Sequence, residues 1–459
     1  MGAPRIHEPP HSRQLRTLSY AVDMTRPPFV VVVLSAVALA APAAAQPVAV
    51  APLAAPDLFS AGGRETGLAG DLWRETSPDI ARTVFALLAA RPLSPAGAAL
   101  ARRVLATGAA GPPGAGRDSA LAGARVMALV AQGDPKGGAA ILSRAAGLER
   151  DPNLAKAAAE AALLTGDDER ACTTAGGLGD GRDDIYWLRL RAWCQARGGQ
   201  AAAAQLTFDL AQAKAADPIY ARLMSAKLGG AAKPGPAALR NGLDYALSRD
   251  LGLDLAAAKP APAVAAALAG SEPGPTAWVV APGPGEPRAA LVALGAGDLA
   301  HAQQIRAGLS GDPATASALD LAILDAAIAT AAGKPDGAIL DRLIGLSGAG
   351  EAKARAQAQA AAVYLVALGA PLSDSSRGPF AALPVAAGKA PAARDLALDL
   401  AANAKRVGET ALIALWIAAD AGAAGPAPGD RARIIRALAA VGLEADARAY
   451  ALEGLLAAK

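Results

Sequence analysis

The sequence predicts an all-α fold, an α-solenoid of stacked antiparallel helical hairpins arranged in two arrays. Three observations predict it. First, the chain is 53% hydrophobic but only 3% aromatic, because most of the apolar count is alanine, the strongest helix former. Second, no stretch alternates β-branched and polar residues long enough to read as a strand. Third, a register recurs every 33 residues. Gly133, Gly166 and Gly199 mark it; an aspartate follows each by 18 positions (Asp151, Asp184, Asp217). A large apolar residue precedes each by 12 (Leu121, Leu154, Trp187), with Tyr220 next in the series. Repeats at this period mean small supersecondary units that bury their faces against one another. A chain of this length exceeds what one bundle core serves, and stacking removes that limit.

Taken in order, residues 1–23 are polar, and Met24 opens a different segment, MTRPPFVVVVLSAVALAAPAAAQP. One arginine, an apolar run from Phe29 to Leu39, and the small residues Ala43 and Ala45 before Gln46 spell a secretory signal peptide cleaved at Ala45/Gln46. Residues 1–45 are therefore read as leader, with Met24 as the start and 1–23 as an upstream extension. The apolar run is short for a membrane span, and no charged stop-transfer flank follows it; a retained anchor is the alternative. Removing the leader lowers the net charge from +3 to +1. A near-neutral chain without a basic tract has no electrostatic footprint for nucleic acid and no polybasic membrane patch.

Residues 46–70, rich in Pro, Ala and Gly, read as a flexible lead-in. The first array is expected over 71–255. It opens with two helices capped near Ser77 and Ser94, each serine followed by proline. In the register, Asp151-Pro152 and Asp217-Pro218 place a capping carboxylate before a proline that has no N–H to orphan; Asp184 holds the same place without proline. The glycines supply left-handed helix ends. Gly133-Asp134-Pro135 and Gly166-Asp167 then start second helices. Residues 256–288 read as a Pro/Gly-rich linker. Within it, SEPGPTAWVVAPGPGEP surrounds Trp278, either a tryptophan docked on a neighbouring helix or a loop that touches a partner. The second array is expected over 289–459, with hairpin turns at Gly297-Asp298 and Gly333-Lys334.

The only two cysteines, Cys172 and Cys194, fall in the second helix of one unit and the first helix of the next. In an exported chain they are expected to form a disulfide stapling adjacent repeats, against the alternative of two free buried thiols.

The unit around Trp187 resembles a tetratricopeptide-type repeat. Trp187, Leu190, Ala202, Ala203 and Asp217-Pro218 match its pattern of an early aromatic, small residues at the turn and in the second helix, and a closing proline. Arg191 stands where a glycine is usual and Cys194 where a tyrosine is common. The run WLRLRAWCQARGGQAAAAQL also resembles a segment of large alanine-rich helical proteins of alphaproteobacterial envelopes, sometimes labelled antifreeze-related. An ice-binding helix would need regularly spaced threonines on one face, and none occur here. The resemblance implies a scaffold or adaptor, with no catalytic residue to carry over.

Chemistry-bearing patterns are sparse. His301 is the one histidine after the leader, with no second histidine at ligand spacing, so no metal site is expected. GGLGDG follows no strand and reads as an interhelix loop, so no nucleotide cofactor is expected. Asp167-Asp168 and Asp183-Asp184 sit at helix starts, where capping explains them. The expectation is an exported, periplasmic, non-enzymatic scaffold that binds a protein or peptide in the groove of its stacked hairpins. Polar and aromatic side chains from successive first helices should line that groove. Two alternatives remain: a structural envelope protein without a discrete ligand, and a helical-ring enzyme acting on polysaccharide, which would show a glutamate buried in a cleft.

Overall fold

Serine and aspartate caps set where the first helices start. In the computed structural model, which describes residues 57–60, 63–143, 151–229, 233–269, 278, 280, 285–309, 317–348, 350–385 and 388–457, Ser77 caps α1 (Pro78–Ala90) by accepting from the Ile80 N–H. At α2 (Pro95–Ala106), Ser94 holds the capping position but its hydroxyl has no partner. The Ala96 N–H instead donates to Glu453, 357 residues away, at 2.7 Å. The leader, including Ala45 and Gln46, lies outside the described residues.

The register then holds residue by residue. α3 (Ser119–Ala131) pairs with α4 (Pro135–Leu142), α5 (Pro152–Thr165) with α6 (Asp168–Gly177), and α7 (Ile185–Arg197) with α8 (Ala201–Lys214); α9 (Pro218–Lys227) opens the next unit. Asp151, Asp184 and Asp217 cap α5, α7 and α9 through their side chains. Asp134 and Asp167 do the same for α4 and α6. Gly133, Gly166 and Gly199 have φ of 93°, 81° and 74°, a left-handed backbone that favours glycine. Leu121, Leu154, Trp187 and Tyr220 are all between 1% and 3% exposed, so the register's large residue is the core-facing one.

The chain continues through α10 (Gly242–Asp250), α11 (Pro262–Ala269), α12 (Glu286–Gly295), α13 (Leu299–Gly308), α14 (Ala318–Ala331), α15 (Gly337–Leu346), α16 (Ala352–Ala367), α17 (Asp374–Ala381), α18 (Ala392–Asn403), α19 (Val407–Ala421), α20 (Pro428–Ala440) and α21 (Glu444–Leu456). The 21 α-helices among the described residues belong to one unit, Ala54–Lys459, and among the same residues the only extended pairing is an isolated bridge between Arg64 and Thr107. Val407–Ala424 has the length and apolarity to cross a membrane, yet is mostly buried inside the protein.

Helices pack in paired contacts, but not strictly in chain order. α10, α5, α3, α1 and α19 lie side by side in that sequence, and α2 packs on α19 and α21. α1 is thus flanked by α3 and α19, and α2 by α3 on one side and α19 and α21 on the other. Two glutamates secure that side. Glu409 of α19 accepts from the Ser77 N–H at 2.9 Å, and Glu453 of α21 accepts from Ala96. Each carboxylate meets the positive end of a helix whose first N–H groups have no partner within it.

The core divides in two, though not at residues 256–288. One cluster runs from Phe59 to Leu164 and continues from Leu239 to Leu456; the other holds α6 to α9 with parts of α5 and α10. α5 serves both. Leu154, Ala157, Ala158, Ala161 and Leu164 face the larger cluster, and Ala155, Ala159, Ala162 and Leu163 face the smaller. Helical spacing puts these sets on opposite sides, and alanine lets helices approach closely on both. A buried methyl-sized group contributes roughly 0.8 kcal/mol, so the fully buried Trp73, Phe85, Trp187 and Trp193 carry more of the burial than any alanine.

Part of the expected flexible lead-in is docked. Phe59 is fully buried, Asp57 accepts from the Phe59 and Gly111 N–H groups, and Arg64 pairs with Asp134 at 2.5 Å. Arg125 of α3 holds this segment. Its guanidinium donates to the carbonyls of Phe59, Leu105 and Thr107 at 2.7–2.9 Å and lies 5.2 Å over the Phe59 ring. Full burial pulls its pKa down to about 10, which still leaves it charged at neutral pH.

Candidate functional site

First helices of the repeats present their side chains to a common hollow. α3, α5, α7 and α9 contribute Met127, Lys156, Glu160, Tyr186, Arg189 and Tyr220 to a cavity of about 330 Å³, closed by Leu243 and Asp244 of α10. A neighbouring cavity of about 270 Å³ shares Met127, Glu160 and Asn241 and extends toward the end of α1. The walls are mainly apolar with a few convergent polar groups, the usual character of a binding site.

The register explains the placement. Lys156 and Arg189 are 33 residues apart and occupy the same position in successive first helices. Each stacks on the aromatic ring that opens the following first helix. Lys156 Nζ lies 5.1 Å from the Tyr186 ring centre, and the Arg189 guanidinium lies 5.4 Å from that of Tyr220. The Tyr220 hydroxyl donates to the Arg189 carbonyl at 2.9 Å, locking α9 onto α7.

Glu160 is the chemically unusual member. It is 7% exposed and its Oε2 accepts from the Gly242 N–H at 2.9 Å, so it caps α10 from α5. Gly242 has no room for a side chain there, because an added Cβ would meet Glu160 Oε2 at 2.8 Å. Burial raises the Glu160 pKa, opposed by the Gly242 N–H, Tyr186 and Lys156. Burial beside that carboxylate also pushes the Tyr186 phenol well up. The Tyr186 oxygen is buried and faces Glu160 without a hydrogen bond of normal geometry. Asp217 behaves in the opposite sense. Burial works to raise its pKa, but the Arg240 hydrogen bond, the Tyr220 N–H and the charges of Arg240 and Arg189 hold it below its ordinary value.

The other sequence-derived positions lie elsewhere. Cys172 and Cys194 form a disulfide between α6 and α7, with Cα atoms 5.5 Å apart, in the smaller cluster. Trp278 is half-buried and turned inward. Its backbone N–H donates to Gly295 and its indole N–H reaches Glu453 Oε2 at 3.4 Å. His301 is exposed on α13, where its backbone N–H is capped by Asp298. Sequence reasoning did not single out Lys156, Glu160, Tyr186 or Arg189. The Lys156/Arg189 pair was visible in the register; Glu160 was not, because its partner is 82 residues away.

Comparison with known proteins adds no relative: no protein-family model, no curated protein and no solved structure matches this chain.

Proposed function

We propose that the protein is an exported helical-repeat scaffold, built on tetratricopeptide-like hairpins, that binds a protein or peptide segment of the cell envelope along its first helices. The cavity carries the reading. Successive first helices line it with aromatic, cationic and apolar side chains, which is the surface a stacked-hairpin groove offers. Export rests on residues 24–45 and on the Cys172–Cys194 bridge, a pairing that persists in oxidising compartments.

The test places a photoreactive residue at Lys156 or at Asn241 in the exported chain, with Lys353 on α16 as control position. Adducts to one polypeptide from 156 and 241, absent from 353, are expected. Equal labelling at 353, or none at the cavity positions, overturns the reading.

A second reading rests on Glu160, a glutamate buried against a cavity, as a polysaccharide-cleaving general acid would be. Its engagement as the cap of α10 favours a structural role. Turnover of purified cell-wall glycan that Glu160→Gln abolishes would reverse that preference.

A further inference from the structure

One helix carries large apolar side chains where the repeat exposes small or polar ones: Leu206 follows Ala140 and Thr173 in the register, and Leu210 follows Gly177, all three of them exposed. In the two units before it, the second helix packs on the first helix that follows: α4 on α5, and α6 on α7. α8 packs mainly on α7, and its Phe208 ring also meets Tyr220 of α9, with ring centres 5.9 Å apart. Its buried stripe is Ala204, Phe208 and Ala211. The opposite stripe is Ala203, Leu206, Leu210 and Ala213, with Leu206 72% exposed and Leu210 55% exposed. Two large leucines one turn apart thus stand in water on an ordered helix.

The order of that stripe selects its occupant. Ala203, Leu206, Leu210 and Ala213 are spaced three, four and three residues apart, and so read the same from either end. A two-fold axis through the level of Phe208 brings Leu206 of one copy onto Leu210 of the other. It likewise brings Ala203 onto Ala213. Small residues then meet at both ends and large ones in the middle, with 3.5-residue spacing suited to a close antiparallel helix pair. An isologous contact requires a patch complementary to itself, which this one is and an arbitrary apolar face is not. α18 also exposes two leucines, Leu396 and Leu400, but Ala393 at one end is matched by Asn403 at the other, so that face lacks the symmetry.

We propose that two copies of this chain associate through α8, antiparallel about a two-fold axis at Phe208. This goes beyond the scaffold reading and does not depend on it. α8 has 14 residues, about 21 Å of helix, so the contact is small and the dimer weak and reversible. Asp209 flanks the stripe, and its side chain is met only by the Gln205 amide of its own helix. In the dimer the two Asp209 carboxylates come near the axis, so their repulsion weakens association at low salt.

Sedimentation of the full chain, with its disulfide intact, tests this. A monomer–dimer equilibrium is expected, mainly dimer at on the order of 100 µM and mainly monomer at on the order of 1 µM, as a single-helix contact implies. The doubly substituted Leu206→Glu, Leu210→Glu chain should stay monomeric with an unchanged melting curve, because both side chains are exposed. Asp209→Asn, or raising the salt from about 50 mM to about 500 mM, should tighten the dimer. A photoreactive residue at Ala203 should label the segment around Ala213 of the other copy. A chain monomeric at every concentration overturns the proposal. So does a dimer that survives the leucine substitutions, or one that Leu396→Glu with Leu400→Glu abolishes.

Discussion

Single residues in this protein act by closing helix ends at a distance, and Glu160 shows what that costs. A carboxylate raised by burial binds its proton more tightly folded than unfolded. Between its ordinary value of 4.5 and the raised folded value, stability therefore falls as pH rises, and above the folded value the penalty is constant. Glu160→Gln keeps an oxygen for the Gly242 N–H and removes the charge. Denaturation across pH should show the variant gaining on the natural chain above about pH 4.5 and then running parallel to it; a pH-independent difference would contradict this. Arg125 is the reverse case, a buried cation satisfied by three carbonyls. Arg125→Met leaves those carbonyls bare and should destabilise by about 3–5 kcal/mol, with residues 57–76 becoming the first site of limited proteolysis.

Helix by helix, the strongest local constraint is the bridge between α6 and α7. It joins residues 22 apart, and closing that loop in the unfolded chain corresponds to about 3 kcal/mol in the chain-entropy model. Cys172→Ala with Cys194→Ala should lower stability by up to that amount. Hydrogen exchange should quicken first in α6 to α9, because their cluster is separate from the larger one. At the other junction, Glu453 joins Arg431, the α2 N-terminus and Trp278. Glu453→Ala strands Arg431, which is only 4% exposed on its side chain, and should cost about 3–5 kcal/mol in chemical denaturation. Helix boundaries of this kind divide into those the sequence displays and those it hides. Asp151, Asp184 and Asp217 cap amides two or three positions away, so spacing alone reveals them. Ser94 looked like the same device, yet the acceptor for Ala96 is Glu453, on an alanine-rich helix with no distinguishing neighbours.

For the whole molecule, the all-helical class and the hairpin register were legible because both rest on local periodicity. The path of the stack was not. Nothing near α1 or α2 states that α19 and α21 cover them, since the contacts that do so span 332 and 357 residues. The cavity was half legible: its cations follow the register, while α10 enters from outside it. The packing makes a prediction of its own. Residues 57–255 expressed alone would bare the faces of α1 and α2 that α19 and α21 cover, and should lack a cooperative melt; a sharp transition in that fragment would show that the halves fold independently. There is also a temporal side to Glu409 and Glu453. A ribosome makes α1 and α2 long before it makes the carboxylates that finish them. Until then these first two helices keep an unsheltered flank and two open amide ends, so a nascent chain stays pliable through most of its synthesis. Pliability of that duration would suit the export proposed above, in which a chain threads a narrow pore before it settles.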